Sequence, residues 1–191
     1  MKKALLITLV VIVVLLFWFG SSFVSQRNEM VRKKETVNAA WSQVDVVLQR
    51  RADLIPNLVE TVKGFATQEQ TVFRDIANAR AALLSARDPQ GKIAANGQLD
   101  NALGRLLVVV ENYPQLRSNE NFLRLQDELA GTENRIAVAR QRYNKALESY
   151  NVYVRQFPNN IWAGMAGFSY RDEYFKGNPA NAAAPTVDFS K

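Results

Sequence analysis

The stretch VNAAWSQVDVVLQRRADLIPNLVETVKGF, residues 37–65, decides the fold. Its apolar side chains recur at spacings of three and four residues, with only Arg51 interrupting the series: Val37, Trp41, Val44, Leu48, Ile55, Leu58, Val62 and Phe65. This spacing is typical of a heptad-like, coiled-coil seam on one face of an α-helix. Because the seam keeps its phase across Pro56, we predict one helix over residues 29–64, kinked at the proline, and not two helices.

Pro56 decides what the polar side chains in this stretch do. Its ring nitrogen carries no proton, so the carbonyl of Ala52 loses its helical hydrogen bond. A backbone carbonyl inside a protein normally finds another donor. Asn57 or an arginine from a neighbouring helix could supply that donor. The pattern therefore favours a kinked helix with polar residues in structural roles, and not a reactive site.

Two shorter helices are predicted after the first. Thr67, with Gln70 three residues later, has the spacing of a capping box and predicts a helix that continues to about residue 86. The segment RDPQGK, residues 87–92, is a predicted break because it combines proline with glycine. The next helix is expected from Ile93 to about Glu111, before a second break at NYPQL.

The fourth helix, about residues 119–157, has the most regular apolar pattern in the chain and ends before Pro158. No segment has the alternation of a β-strand. We predict an all-α fold: an N-terminal transmembrane helix, then an antiparallel up-down-up-down four-helix bundle over residues 25–158, with two long and two short helices. At about 1.5 Å per residue, the short pair can cover only the membrane-distal half of the long pair.

Residues 4–24, ALLITLVVIVVLLFWFGSSFV, carry no charged side chain. At about 1.5 Å per residue they span roughly 30 Å, the thickness of the hydrocarbon core. A cleaved secretory signal would have an apolar core of about 7–15 residues followed by an A-x-A-like site. Here the apolar run is longer and no alanine follows it. We predict an uncleaved, single-pass transmembrane anchor over residues 1–24.

The charges around the anchor bear on its orientation. Lys2 and Lys3 precede the span, and a signal-anchor with its N-terminus inside does not carry these charges across the membrane. The basic residues after the span, which include Arg32, Lys33 and Lys34, favour the opposite orientation. We expect the anchor in a bacterial inner membrane with the bundle on the periplasmic side. The Arg32–Lys34 cluster is then a candidate for contact with anionic lipid.

The composition excludes several kinds of chemistry. The chain has neither cysteine nor histidine, so thiol catalysis, disulfides, zinc sites built on these residues and Ser-His triads are all excluded. The net charge is +6, from 24 basic and 18 acidic residues. Because the signs alternate along the chain, the charge indicates a solvated helical surface and not a nucleic-acid partner. We predict neither an enzyme nor a cofactor protein.

Polar residues beside the apolar seams are predicted to form ion pairs between helices, which fix register more than they stabilise. They are Arg51, Asp53, Pro56, Asn57, Glu69, Arg80, Glu133 and Arg140. A weak Mg²⁺ or Ca²⁺ site made of carboxylates alone stays open, although no Asp-x-Asp loop is present. Tyr143 and Tyr150, seven residues apart on one helix face, are expected in the core with their hydroxyls at its rim, with an aromatic binding cleft as the alternative.

Five segments resemble the LemA family in order and spacing. They are RRADLIPNLVETVKGFATQE (50–69), AR (79–80), ENYPQL (111–116), FLRLQDELAGTENRIAVARQRYN (122–144) and YNVYVRQFP (150–158). The similarity extends over roughly residues 28–170. It implies a membrane-anchored helical bundle with no assigned enzymatic activity, some members being associated with membrane organisation.

Residues 159–191 are predicted to form a partly irregular tail that contains aromatic side chains. These side chains either cover the exposed half of the long-helix pair or form an interface with lipid or a neighbouring subunit, because a two-helix stem leaves apolar surface uncovered. We favour the interface. Its candidate residues are Arg32, Lys33, Lys34, Trp162, Phe168 and Tyr170.

The expected function is that of a non-enzymatic, membrane-anchored scaffold that self-associates and organises membrane or envelope partners. The alternative is a receptor-like or adaptor module that binds a peptide, a lipid or a signalling partner. The expected partners are membrane lipid, further copies of the chain and an unidentified envelope protein, with no nucleic acid.

Overall fold

The computed structural model describes residues 2–176, except for the side chains of Lys2 and Ala4. Over this range the chain is all-helical and contains no strand, which confirms the predicted class. The helices are α1 (Lys2–Lys63), α2 (Gln70–Ser85), α3 (Pro89–Glu111), α4 (Pro114–Arg117), α5 (Glu120–Arg155) and α6 (Asn159–Ala166).

Helix α1 is a single helix of 62 residues, about 93 Å long at the usual helical rise. The large apolar side chains from Leu5 to Phe19 are exposed over 47% to 78% of their surface. From Met30 onward, one face of the same helix lies in the core. Among the described residues, α1 alone is long and apolar enough to cross a membrane, judged by length and composition.

The predicted helix start at residue 29 is wrong, because α1 is already helical from Lys2. No proline precedes Pro56 to end the helix, so the apolar segment and the first bundle helix form one element. The helix also continues through Pro56, as predicted. The proposed domain division at residue 24 does not coincide with the end of a helix, and it stays a prediction.

Helices α1 and α5 pack against each other in opposite directions. Their contacts descend along α5 as they ascend along α1: Lys33 Nζ donates to Ser149 Oγ at 3.1 Å, the Trp41 and Tyr143 rings lie 5.3 Å apart, and Arg51 pairs with Glu133 at 2.9 Å. The pair therefore forms the long axis of the molecule.

Helices α2 and α3 form a hairpin joined by an ion pair between Asp75 and Arg105 at 3.1 Å. The hairpin meets α1 where Lys92 pairs with Asp45 and where Arg80 reaches the Ala52 carbonyl. These contacts place it against the part of α1 that is far from the apolar segment. The short helices thus lie against the distal half of α1.

Two predicted helix boundaries are wrong for reasons of capping. Helix α2 begins at Gln70, whose side chain donates to the Thr67 carbonyl at 2.9 Å, so Thr67 is not the N-cap. Helix α3 begins inside the predicted break, where the Asp88 side chain accepts from the Gly91 amide at 2.8 Å. Pro89 occupies the first turn, in which a missing N–H costs nothing. The Asp-Pro pair therefore begins a helix here and does not only end one.

The remaining boundaries differ less. The segment NYPQL holds the single turn α4, and α5 begins at Glu120 with Asn119 as its N-cap. Helix α5 ends at Arg155, just short of the predicted end. After α6, residues 167–176 have no regular structure and return along the long pair.

Candidate functional site

Arg51 is the charged side chain that the described part of the chain buries, with 7% of its surface exposed. Its Nη1 donates to Asn96 Oδ1 at 3.1 Å and lies 2.6 Å from Asp100 Oδ1 and 2.9 Å from Glu133 Oε2. The Glu133 oxygen approaches as an ion pair and without the angle of a hydrogen bond. One guanidinium therefore joins α1, α3 and α5, which explains why Arg51 interrupts the apolar seam.

The Arg51 cluster, defined as Arg51, Asn96, Asp100 and Glu133, carries one positive and two negative formal charges. Asn96 also donates to Asp100 Oδ2 at 3.0 Å, which orients that carboxylate. The side chains of Asp100 and Glu133 are 39% and 45% exposed, whereas that of Arg51 is 9% exposed. A buried guanidinium needs such partners, because removing a charge from water without pairing it is costly.

The carbonyl freed by Pro56 is satisfied close to this cluster. Arg80 Nε donates to the Ala52 oxygen at 2.7 Å, so the arginine predicted as one possible donor is confirmed. Asn57, the other predicted donor, is exposed, and its own carbonyl accepts from Thr61. The proline therefore lies within a continuous helix whose unpaired carbonyl is bonded by α2.

A groove opens between α3 and α5 beside the Arg51 cluster. It has a volume of about 260 Å³, and Arg51 and Glu133 form part of its lining. The other lining side chains are mainly apolar: Leu58, Leu103, Leu106, Leu107, Phe122, Gln126, Leu129 and Ala130. The carboxylate in this lining, Glu133, is paired with Arg51. A mostly apolar groove with a few polar groups at fixed positions is suited to binding.

The structure brings together only some of the predicted polar residues. Arg51 and Glu133 meet as expected. Asp53 is exposed and accepts from Gln49 on its own helix. Glu69 caps α2 without a side-chain hydrogen bond, and Arg140 lies 5.1 Å above the ring of Phe175. None of these last three joins the Arg51 cluster.

Two members of the cluster, Asn96 and Asp100, were not predicted. Asn96 lies three residues before Leu99, within the apolar seam of α3, and it is 1% exposed. An amide in such a position needs a polar partner from another helix. Asn96 interrupts the apolar seam of α3 as Arg51 interrupts that of α1. These two interruptions were the signal in the sequence from which the pairing of the two side chains could have been predicted.

A second set of contacts holds the tail against α5. Asn144 donates to the Phe175 carbonyl at 2.8 Å and accepts from the Phe175 amide at 3.0 Å. Asn151 does the same with Arg171, at 2.7 and 3.0 Å. Each asparagine thus pairs with the tail backbone as a neighbouring strand would. We call Asn144 and Asn151, together with the tail backbone that they bind, the tail clamp.

The tyrosines that precede these asparagines lie in the core. Tyr150 is 3% exposed and donates to the Ser169 carbonyl at 3.0 Å. Tyr143 is fully buried and its hydroxyl has no hydrogen-bond partner, so that hydroxyl does not lie at a rim as predicted. Burial, followed by the nearby Glu173 carboxylate, raises the pKa of Tyr143 to about 12.

The aromatic tail residues pack largely against their own chain. Phe175 stacks on Trp41 at 6.0 Å and meets Tyr143 edge-on at 5.8 Å. The Trp162 ring lies 4.6 Å from that of Phe19. These contacts cover the half of the long pair that the α2–α3 hairpin leaves free. The intramolecular alternative therefore accounts for much of the tail up to residue 176, whereas the predicted tail residues 177–191 lie outside the described range.

The predicted interface residues are distributed as follows. Trp162 is buried and Phe168 packs partly buried against the core, whereas Tyr170 is 45% exposed with Arg155 5.3 Å from its ring. Among the basic residues, Arg32 pairs with Glu29, Lys33 bonds Ser149, and Lys34 is exposed. Whether any of them contacts lipid or another subunit stays a prediction.

Comparison with known proteins gives one family and several relatives. The model of the LemA family matches residues 40–189. The chain is 31% identical over 188 residues to magnetosome protein MamQ 2 of Paramagnetospirillum magneticum, covering 85% of this chain and 69% of that protein. It is 29% identical over 188 residues to MamQ of Magnetospirillum gryphiswaldense, with the same coverage. Protein LemA of Metamycoplasma hominis is 23% identical over 163 residues, covering 85% of this chain and 74% of that protein.

Proposed function

Since this chain belongs to the LemA family, we propose that it is a non-enzymatic, membrane-anchored scaffold that self-associates and organises partners at the membrane. The family and the apolar N-terminal helix indicate a membrane-associated protein. The observation that carries the proposal is the continuity of α1 from the apolar segment to the Arg51 cluster. One rigid helix would fix the position of the distal half relative to the bilayer.

The scaffold is best described as an up-down-up-down bundle. Helices α1 and α5 run antiparallel, and α2 and α3 form the intervening hairpin. In the contacts between α3 and α1, residue numbers increase along both helices, from Lys92 with Asp45 to Asn96 with Arg51. This order supports an α3 that runs parallel to α1. Residues 1–24 are the proposed single-pass anchor in a bacterial inner membrane, with the bundle on the periplasmic side.

A surface suited to self-association lies along α1 and α5. A shallow groove is lined there by Val47, Arg135, Val138 and neighbouring residues, with none from α2 or α3. Val138 and Val152 are 47% and 56% exposed, and they lie two heptads apart on α5. Lys145 occupies the heptad position between them. The apolar surface of Val47 and Val138, flanked by Arg135 and Arg142, supports contact with a second copy.

Cross-linking of the full chain in its native membrane tests this surface. The chain contains no cysteine, so Val138→Cys introduces a single thiol for a short bis-maleimide. We expect cross-linked dimers for Val138→Cys and none for Gln90→Cys, which is exposed at the start of α3. Equal cross-linking at both positions, or at neither, would contradict a specific interface on this face.

The adaptor alternative is favoured by the groove between α3 and α5. A photo-reactive phenylalanine in place of the 46% exposed Leu107 would report what occupies the groove. A single heterologous adduct would support an adaptor, whereas an adduct with a second copy would support the scaffold. The matched control places the same photo-reactive residue at Val108, which is 62% exposed and does not line the groove. An adduct of equal yield at both positions would show that binding is not selective for the groove.

A further inference from the structure

Helix α6 lies beside the C-terminal end of the apolar segment of α1. The Trp162 ring is 4.6 Å from that of Phe19 and 5.9 Å from that of Phe23. Asn159, Trp162 and Ala163 form the buried face of α6. Phe19 precedes Val24, the end of the uncharged run, by about 7.5 Å of helix. Trp162 therefore fixes α6 at the level where the apolar segment ends.

The outer side of α6 carries a stripe of large apolar side chains. Ile161 and Met165 lie four residues apart on α6 and are 52% and 61% exposed, and Phe157, in the turn just before the helix, is 76% exposed. Asn160 and Gly164, which are also exposed, lie on an adjacent face. The stripe is therefore apolar, narrow and bordered by polar or small positions, so that one side of α6 presents apolar surface away from the rest of the chain.

We propose that Phe157, Ile161 and Met165 insert into the boundary between lipid head groups and acyl chains, so that α6 lies on the bilayer that α1 crosses. The stripe continues the exposed apolar surface of residues 5–19, and the Phe19–Trp162 contact links the two. Interfacial helices bury their apolar face about 5–10 Å deep, which matches the position of Phe19 below the end of the span. Helix α6 has 8 residues and is too short to cross the membrane itself.

The inward-facing and the outward-facing apolar side chains in and beside α6 thus have different roles. Trp162 is the intramolecular anchor that fixes the height of α6, while the lipid contacts come from residues that face away from it. This assignment differs from the one that the sequence suggests, because Trp162 itself is turned inward. It rests on the proposed membrane anchor, so the test must report separately on α1.

Spin labels on the full chain, one copy per nanodisc, provide that test. Single cysteines replace Ile161 and Met165, with Asn160 and Gly164 as matched positions on the adjacent face. Val10 within the apolar segment and Gln90 on the hairpin serve as lipid and water references. Collision with oxygen reports lipid exposure, and collision with a water-soluble nickel chelate reports water exposure.

At Ile161 and Met165 we expect collision with oxygen to exceed collision with the nickel chelate, as at the lipid reference Val10. At Asn160 and Gly164 we expect collision with the nickel chelate to exceed collision with oxygen, as at the water reference Gln90. Strong nickel collision at all four α6 positions would overturn the proposal, since the stripe would lie in water. Weak collision with both reagents at Ile161 and Met165 would also overturn it, because protein would then cover the stripe. Strong nickel collision at Val10 would instead refute the membrane anchor, and the lipid contact of α6 with it.

Discussion

The two halves of the α1–α5 pair are covered in different ways. In the distal half, the α2–α3 hairpin packs against the pair, and the buried charge of Arg51 connects three helices. In the proximal half, an extended tail is held by the amides of Asn144 and Asn151 and by ring contacts with Trp41 and Tyr143. The distal half thus depends on pairing a buried charge, and the proximal half on neutral hydrogen bonds and aromatic packing.

This difference determines how each half should fail. A buried charge that loses its partners destabilises the structure around it strongly, because its desolvation is no longer offset. A neutral amide that loses its backbone partner costs less, and the effect stays local. Substitutions in the distal half should therefore affect global stability, whereas those in the tail clamp should affect local opening of the tail.

The largest expected effect follows from removing both negative charges of the Arg51 cluster. Asp100→Asn combined with Glu133→Gln leaves the guanidinium buried without a counter-charge, and we expect a loss of about 3 kcal/mol in the free energy of unfolding. Urea unfolding of the full chain in nanodiscs, followed by circular dichroism, measures this loss. The matched control, Asp127→Asn with Glu128→Gln, removes two exposed carboxylates of α5 and should change stability by less than about 0.5 kcal/mol.

A third variant examines the cause. Adding Arg51→Met to the double substitution removes the buried charge, and apolar replacements of whole buried ion pairs are often neutral. Much of the lost stability should therefore return. If the triple variant is as unstable as the double one, packing and not charge explains the effect of the cluster.

The contrast between the halves also explains how far the sequence could predict this structure. Helical register is a local property, so the spacing of apolar residues in 37–65 predicted the buried face of α1, and Arg51 was visible as its interruption. The donor to Ala52 was predictable because Pro56 leaves a carbonyl that must be bonded. The Asp88–Pro89 start of α3 was missed because proline was treated only as a breaker.

The tail clamp was not predictable from local pattern. Asn144 and Asn151 lie seven residues apart and follow two core tyrosines, yet their partners lie 31 and 20 residues away in a segment without regular structure. An extended segment has no helical periodicity that could indicate its register. The aromatic residues of the tail were recognised, but their inward orientation depends on Trp41 and Phe19, which are still farther away in sequence.

The second prediction concerns the tail clamp. Asn151→Ala removes two hydrogen bonds to the backbone of Arg171, worth about 1 kcal/mol each, and a third to the Tyr174 hydroxyl, which water can replace because Tyr174 is only half-buried. Amide hydrogen exchange in residues 168–176 should accelerate by about 30-fold, the equivalent of about 2 kcal/mol of local opening. Exchange in α2 and α3 should not change. Asn134→Ala, at an exposed position of α5, is the control, and accelerated exchange throughout the chain would disprove the independence of the halves.

A smaller effect, a dependence of the stability on pH, is expected from Tyr143, where the tail meets the core. Its pKa is raised from 10.0 to about 12, so between these values the unfolded chain loses a proton that the folded chain retains. Stability is therefore fully present below pH 10 and falls as the pH rises towards 12. Ultraviolet titration should show this late tyrosine, and Tyr143→Phe should remove it. Asn144→Ala, by loosening Phe175, should shift its pKa back towards 10; no shift would mean that the tail does not cause the burial.

The smallest effect comes from the Ala52 carbonyl, which connects Pro56 with α2. Arg80→Met removes the donor, and because Ala52 is fully buried the unbonded carbonyl should cost about 1–2 kcal/mol. In the Pro56→Ala background, residue 56 has an N–H that can bond the same carbonyl within the helix. Arg80→Met should then cost less, with a coupling energy of about 1 kcal/mol between the two positions.

Urea unfolding of the four members of this cycle gives the coupling energy directly. Arg74→Met, which removes an exposed arginine of the same helix, should show no coupling with Pro56→Ala. Strictly additive effects of Arg80→Met and Pro56→Ala would mean that Arg80 stabilises the hairpin independently of the proline. A coupling of the expected size would show that the distal hairpin is joined to α1 at a carbonyl freed by a proline, a kind of contact that the proximal half does not use.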